Sequence, residues 1–154
     1  ELLSYVKFPP HGTRAWAPGY CNSDTIIPED HLGWVKEQDE ETSLVVHIET
    51  KLGYERAEEI VSTPGVDMVY VGPGDFSVEM GHPGNQVHPD VRGPMEEILE
   101  ICKQHGVPWG TTAANAEDAE LWVEQGALFF AAEAEKNFII EGAPRLVDAY
   151  RRFT

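Results

Sequence analysis

The chain has 154 residues, 42% of them hydrophobic and 10% aromatic, which is enough for the core of one ordinary globular domain. Its 11 basic against 27 acidic residues give a formal charge of −16, a field that repels phosphate backbones and anionic lipid headgroups and excludes nucleic acid and membrane surfaces as partners. Only Cys21 and Cys102 occur, without zinc or disulfide spacing, the longest apolar run (ALFFAA, 127–132) is far short of the roughly 20 residues of a membrane span, and no charged leader with a long apolar stretch opens the chain, so a reducing cytoplasmic setting is expected.

Residues 1–8 (ELLSYVKF) read as the tail of a helix, followed by an irregular stretch and a short helix around 28–38, with no strand before about residue 42. From there on, short β-branched runs alternate with amphipathic helical patterns and Gly or Pro falls at most joints, the mark of βαβ units. The first strand, 43–49 (SLVVHIE), is nearly continuous in Val, Ile and Leu, as suits a parallel strand covered on both faces. A helix with Leu52, Ala57, Ile60 and Val61 on one face follows and stops before Thr63-Pro64-Gly65. The second strand, 67–72 (DMVYVG), runs into a long loop, PGDFSVEMGHPGNQVHP, where a βα connection ordinarily has 2–6 residues.

A helix then starts near Pro89-Asp90, carries Val91, Met95, Ile98, Leu99 and Cys102 on one face, and ends at Gln104-His105-Gly106. The third strand is 107–113 (VPWGTTA), and the helix after it packs Ala116, Ala119, Trp122 and Val123 before Gly126. A fourth strand at 127–134 precedes a last helix over about 143–153, which groups Leu146, Val147, Tyr150 and Phe153. Four β-α units in series make either a small doubly wound sheet or half of a (β/α)8 barrel of roughly 250 residues, and periodicity does not choose between them.

Glu49 closes the first strand and Asp75 stands three residues past the second, so one crossover places both at the C-terminal edge where parallel α/β folds bind ligands. Neighbouring strands lie about 4.8 Å apart. Two carboxylates there can converge on one hard divalent ion such as Mg²⁺ or Mn²⁺; the alternative is that Glu49 caps the next helix and Asp75 makes a turn hydrogen bond. Gly72 and Gly74 strip side chains from around Asp75, leaving backbone N–H groups to face a small anion such as a keto-acid carboxylate. His47 shares a strand face with Glu49, where it can hydrogen-bond substrate or a metal-bound water, or serve as a core histidine.

The string VVHIETKLGYERAEEIVSTPGVDMVYVGPGDFSVEMGHPGNQVHPDV resembles the diagnostic stretch of the HpcH/HpaI class II, metal-dependent aldolases, and KFPPHGTR resembles that family's Lys, aromatic, Pro-Pro, x, Gly, x, Arg segment. The likeness runs from about residue 5 almost to the C-terminus. It implies a (β/α)8 TIM barrel, α/β in class, of which residues 1–154 supply the C-terminal half (strands 5–8) as part of a single domain. It further implies an aldolase, a carbon–carbon lyase, that cleaves or forms 4-hydroxy-2-oxo acids through a metal-bound pyruvate enolate, with pyruvate or oxaloacetate and an aldehyde as its small-molecule partners.

By position, Glu49 and Asp75 match the family's metal ligands, for Mg²⁺ or Mn²⁺ with Co²⁺ as a further candidate. Gly74 and Asp75 match the residues whose amides hold the substrate carboxylate, and His47 stands where a substrate-contacting glutamine is usual. Arg14 matches a loop arginine expected near the pocket. Three departures stand out: His47 for glutamine, GPGD for GPAD, and Ala15 for the glycine after the loop arginine. The family's catalytic histidine and enolate-stabilising arginine belong to the first four strands; His11, His31, His82, His88 and His105 match neither position, so the catalytic residues are not assigned in this chain. A half-barrel needs its missing N-terminal half, and a homo-oligomer using the last helix is expected. Alternatives are a 2-oxo-diacid decarboxylase or CoA-thioester lyase with the same ion, or, without that histidine and arginine, a non-catalytic metal-binding α/β remnant or interaction module.

Overall fold

Four short parallel strands, β1 (Val45–Ile48), β2 (Met68–Val71), β3 (Trp109–Thr112) and β4 (Phe129–Ala131), lie side by side in chain order. A computed structural model describes residues 2–17, 19, 27–132 and 134–153; Cys21 lies outside them. A doubly wound sheet reverses the direction in which strands are added, whereas the order β1-β2-β3-β4 runs one way only, as in a segment of barrel wall. The register aligns His47 with Tyr70, Tyr70 with Gly110, and Gly110 with Phe129.

Before the sheet come α1 (Leu2–Val6) and α2 (His31–Glu41), the latter capped by Asp30, whose carboxylate accepts from the Gly33 amide at 2.9 Å. Between β1 and β2 the helical stretch is broken into α3 (Lys51–Glu55) and α4 (Ala57–Val61), because Arg56, at φ −109° and ψ 16°, leaves helical geometry. The break turns Leu52 to solvent at 62% exposure while Ala57 and Val61 are buried, so the apolar face read for this helix holds only from Ala57 onward.

The long connection after β2 contains a helix that the sequence reading leaves as loop: α5 (Pro73–Glu79). Proline at its first position and Phe76 and Ser77, both buried, account for it. α6 (Pro89–His105) ends on Gly106, whose φ of +66° suits a residue without a Cβ. α7 (Ala116–Glu124) buries Trp122 but leaves Val123 exposed. α8 (Glu135–Tyr150) starts well ahead of 143 and takes Gly142 and Pro144 into its interior before a 3-10 turn, Arg151–Phe153. Glycine and proline read as breakers, and here neither breaks the helix.

The core occupies one face of the sheet, where Ile48, Val69, Val71 and Trp109 pack against Ala57 and Val61 of α4 and Val91, Met95, Ile98, Leu99 and Cys102 of α6. The opposite face carries Val45, His47, Tyr70, Thr112 and Phe129 by alternation. Val45 is 47% and Phe129 50% exposed, so within the described residues the sheet is covered on one face. In a closed barrel that second face lines the interior. Among the described residues no helix is long and apolar enough to cross a membrane.

Candidate metal and substrate site

The β1–β2 ladder continues one step past the strands: the Gly72 amide donates to the Ile48 carbonyl at 3.2 Å, which sets Gly72 beside Glu49. A Cβ on Gly72 would lie 2.6 Å from Glu49 Oε2 and 3.2 Å from its Cβ, so the missing side chain is the space that the carboxylate fills. Glu49 keeps 36% of its side-chain surface open to solvent. Asp75 follows in the first turn of α5, exposed, on the connection leaving β2. Both acids therefore stand at the C-terminal ends of adjacent parallel strands.

Gly72, in extended backbone, is the residue before α5, and the leading amides of a helix have no carbonyl one turn earlier to bond. The Gly74 and Asp75 amides belong to that turn. A Cβ at Gly74 would meet nothing within 4 Å, so of the two glycines only Gly72 is required by close packing.

His47 Nδ1 is 3.8 Å from Glu49 Oε2, and its ring lies 4.6 Å from that of Tyr70, tilted by 32°. Tyr70 is only 8% exposed, its hydroxyl 2.6 Å from Thr112 Oγ1 and its ring 5.9 Å from Phe129. The ring of His47 is thus seated on a tyrosine that β3 and β4 hold in place. Alternation along β1 placed His47 beside Glu49 from the sequence alone, but Tyr70 and Thr112 come from register between strands, for which a single strand carries no signal.

Past β3 and β4 the same edge opens into a hollow of about 390 Å³ bordered by Gly84, Asn85, Gln86, Val87, Thr112, Ala113, Ala114 and Ala132. Among the described residues the side-chain oxygen of Gln86, on this border, is buried with no hydrogen-bond partner. Arg14 does not join these residues: its guanidinium sits 4.7 Å over the Phe8 ring and 3.5 Å from Thr42 Oγ1, and Thr42 precedes β1 whereas Glu49 follows it. Cation–π stacking and that hydroxyl contact keep it at the other end of the strand.

A family model described as HpcH/HpaI aldolase/citrate lyase matches residues 1–141. A 5-keto-4-deoxy-D-glucarate aldolase of Salmonella arizonae is 31% identical over 153 residues, 99% of this chain and 58% of its own length. One of Klebsiella pneumoniae is 30% identical over the same span and the same shares. Among solved structures, an HpcH/HpaI aldolase from Desulfitobacterium hafniense superposes with a TM-score of 0.82 at 26% identity, over 97% of this chain and 57% of that one. An HpcH/HpaI aldolase/citrate lyase family protein from Burkholderia cenocepacia gives 0.81 at 26%, over 97% and 58%. The chain spans 58% of the length of the relatives it matches, and its sheet is about half of their TIM barrel.

Proposed function

Since the chain belongs to the HpcH/HpaI aldolase/citrate lyase family, we propose that it carries the ion- and carboxylate-binding part of a metal-dependent aldolase site that cleaves or forms 4-hydroxy-2-oxo acids. The observation that carries this reading is the Glu49 carboxylate seated in the space left by Gly72, beside His47 and one strand from the turn that bears Asp75. The donor set fits the ion: two carboxylates and no thiolate form an all-oxygen set of the kind taken by Mg²⁺ or Mn²⁺. Such an ion, held by Glu49 and Asp75, would act as a Lewis acid toward the oxo group of a pyruvate-like acid.

The chain's own groups divide the remaining work. The amides of Gly74 and Asp75 offer hydrogen bonds to the substrate carboxylate, which keeps the 2-oxo end of the molecule toward the acids. His47, propped on Tyr70, orients a substrate oxygen on the side away from the helices. The hollow beyond Thr112, bordered by Asn85 and Gln86, suits the polar aldehyde portion. A reducing cytoplasm is the setting we assign, from the two cysteines without pairing spacing.

Mn²⁺ titration followed by electron paramagnetic resonance tests the site whatever the turnover. Glu49→Gln, Asp75→Asn and Gly72→Ala are each expected to weaken Mn²⁺ binding at least about tenfold, whereas Gly74→Ala binds as the parent does, its Cβ meeting nothing. Unchanged affinity in both carboxylate variants would sink the assignment. Product analysis on a 4-hydroxy-2-oxo acid then separates aldol cleavage, which yields pyruvate and an aldehyde, from decarboxylation, which yields carbon dioxide.

A further inference from the structure

The connection between α5 and α6 brings two imidazoles and a carboxylate together away from the acids of the proposed aldolase site. Backbone bonds from Asn85 N to the His82 carbonyl (2.9 Å) and from His88 N to the Asn85 carbonyl (3.2 Å) make two successive turns. Gly81 and Gly84, at φ +84° and +78°, allow the chain to take them. The result stacks the His82 and His88 rings with centroids 3.4 Å apart and planes 16° from parallel. Asp90 Oδ2 lies 3.0 Å from His82 Nε2 and 3.7 Å from His88 Nδ1, and one ligand atom from each of the three residues falls within 4.8 Å of the others.

We infer that His82, His88 and Asp90 form a second cation site, which takes one borderline first-row transition ion of the Zn²⁺ or Co²⁺ type. Ligand atoms about 2.1 Å from a common ion are about 3.0–3.4 Å apart at octahedral or tetrahedral angles, close to the two separations that Asp90 makes. Imidazole nitrogen selects Zn²⁺, Co²⁺, Ni²⁺ or Cu²⁺, whereas the all-oxygen set of Glu49 and Asp75 selects hard ions, so donor chemistry sorts the two sites. His88 Nδ1 accepts from the Asp90 amide at 3.2 Å, and ion binding exchanges that contact for a coordinate bond.

The backbone that carries the ligands is fixed before any ion arrives. Buried Ser77 accepts from the Gly84 amide at 3.0 Å and donates to the Gly74 carbonyl at 2.6 Å, while the His82 amide donates to the Ser77 carbonyl at 2.7 Å. The loop backbone is therefore fastened to α5, and ion binding turns the two stacked rings about their side-chain torsions until both ring planes pass through the ion. With side chains of His82 and His88 29% and 32% exposed and Asp90 66% exposed, the site opens to water, which completes the coordination sphere. An ion here ties the long connection to the start of α6, and by mass action it stabilises the folded chain.

Calorimetric titration of the full chain with Zn²⁺, and with Co²⁺ read by its visible absorbance, decides the matter. One equivalent is expected to bind in the Glu49→Gln/Asp75→Asn double variant, where the carboxylate pair no longer competes for the ion, with a rise in melting temperature. His82→Phe preserves a stacked ring without a nitrogen donor, and His88→Asn preserves a helix-capping side chain. Each is expected to lose at least about tenfold in affinity while Mn²⁺ binding at the other site is unchanged. Zn²⁺ and Co²⁺ binding that is absent from the Glu49→Gln/Asp75→Asn double variant, or that survives there when either histidine variant is added, overturns the proposal.

Discussion

Gly72 and Gly74 stand two residues apart in one turn and serve different physical ends. At Gly72 a side chain would occupy the place of the Glu49 carboxylate, while at Gly74 a methyl group points into open space, so an alanine at position 74 costs nothing in packing. Cys102 is a different kind of special residue: wholly buried in α6, it has its thiol pushed up to about 12 by desolvation alone. Because the folded state holds the proton more tightly than the unfolded one, this contribution to stability is complete below the ordinary thiol value of 9.0 and is lost as pH rises through the interval up to about 12. Tyr54, raised by its hydrogen bond to Glu97, by burial and by that carboxylate's charge, acts in the same direction. Melting temperatures should therefore fall above pH 9.0, less steeply in Cys102→Ala, and Cys102 in the folded chain should resist alkylation at neutral pH. A Cys102→Ala profile that parallels the parent's would refute the assignment.

Among the elements, α6 and α7 are joined by a pair that lies mostly out of water. The Arg92 guanidinium bonds Asp118 Oδ1 and lies 3.7 Å over the Trp122 ring, with side-chain exposures of 16% for Arg92 and 11% for Asp118. Asp118 Oδ2 also accepts from the Ala114 amide at 2.9 Å, and the Asp118 amide donates to Asn115 Oδ1 at 2.8 Å, so one aspartate holds the turn after β3 and the start of α7. Trp122 in turn packs 5.0 Å from Trp109 of β3. Removing Asp118 leaves the Arg92 charge only the half-exposed Glu96, 3.4 Å from its Nε, and frees the Ala114 amide, so Asp118→Ala should cost about 3 kcal/mol in urea unfolding. Arg92→Met, which keeps the stem over Trp122 and removes the charge, should cost less than Arg92→Ala. Losses of a few tenths of a kcal/mol would mean that the pair behaves like an exposed one.

For the whole molecule, the sheet has β1 and β4 at its edges among the described residues, and its second face is half open, with Val45 and Phe129 showing 47% and 50% of their surface. On α8, Phe138, Ile139, Ile140, Leu146, Val147 and Tyr150 are each more than half exposed. Free strand edges and apolar surface of this extent favour association. Light scattering of the 154-residue chain at micromolar concentration is expected to give a mass above that of one copy. Replacing Ile139 and Leu146 with lysine should lower it; a monodisperse monomer with cooperative unfolding would mean that these surfaces are tolerated in water.

The sequence by itself determined the β-α alternation, the helix stops at Gly106 and Gly126, the buried face of α6, and the placement of Glu49 and Asp75 at the ends of consecutive strands. These follow from local rules: the period of side chains along the backbone, the conformational freedom of glycine, and the short reach of a βα turn. Only the tertiary structure decided that the strands add in one direction, that Tyr70 and Thr112 stand behind His47, that His82 and His88 stack, and that Arg14 lies at the far end of β1. It also decided that residues 73–79 are helical, since burial of Phe76 and Ser77 overrides a Gly- and Pro-rich stretch that reads as loop. Register, burial and stacking are relations between segments distant along the chain, and they are fixed by packing energies that local periodicity does not contain.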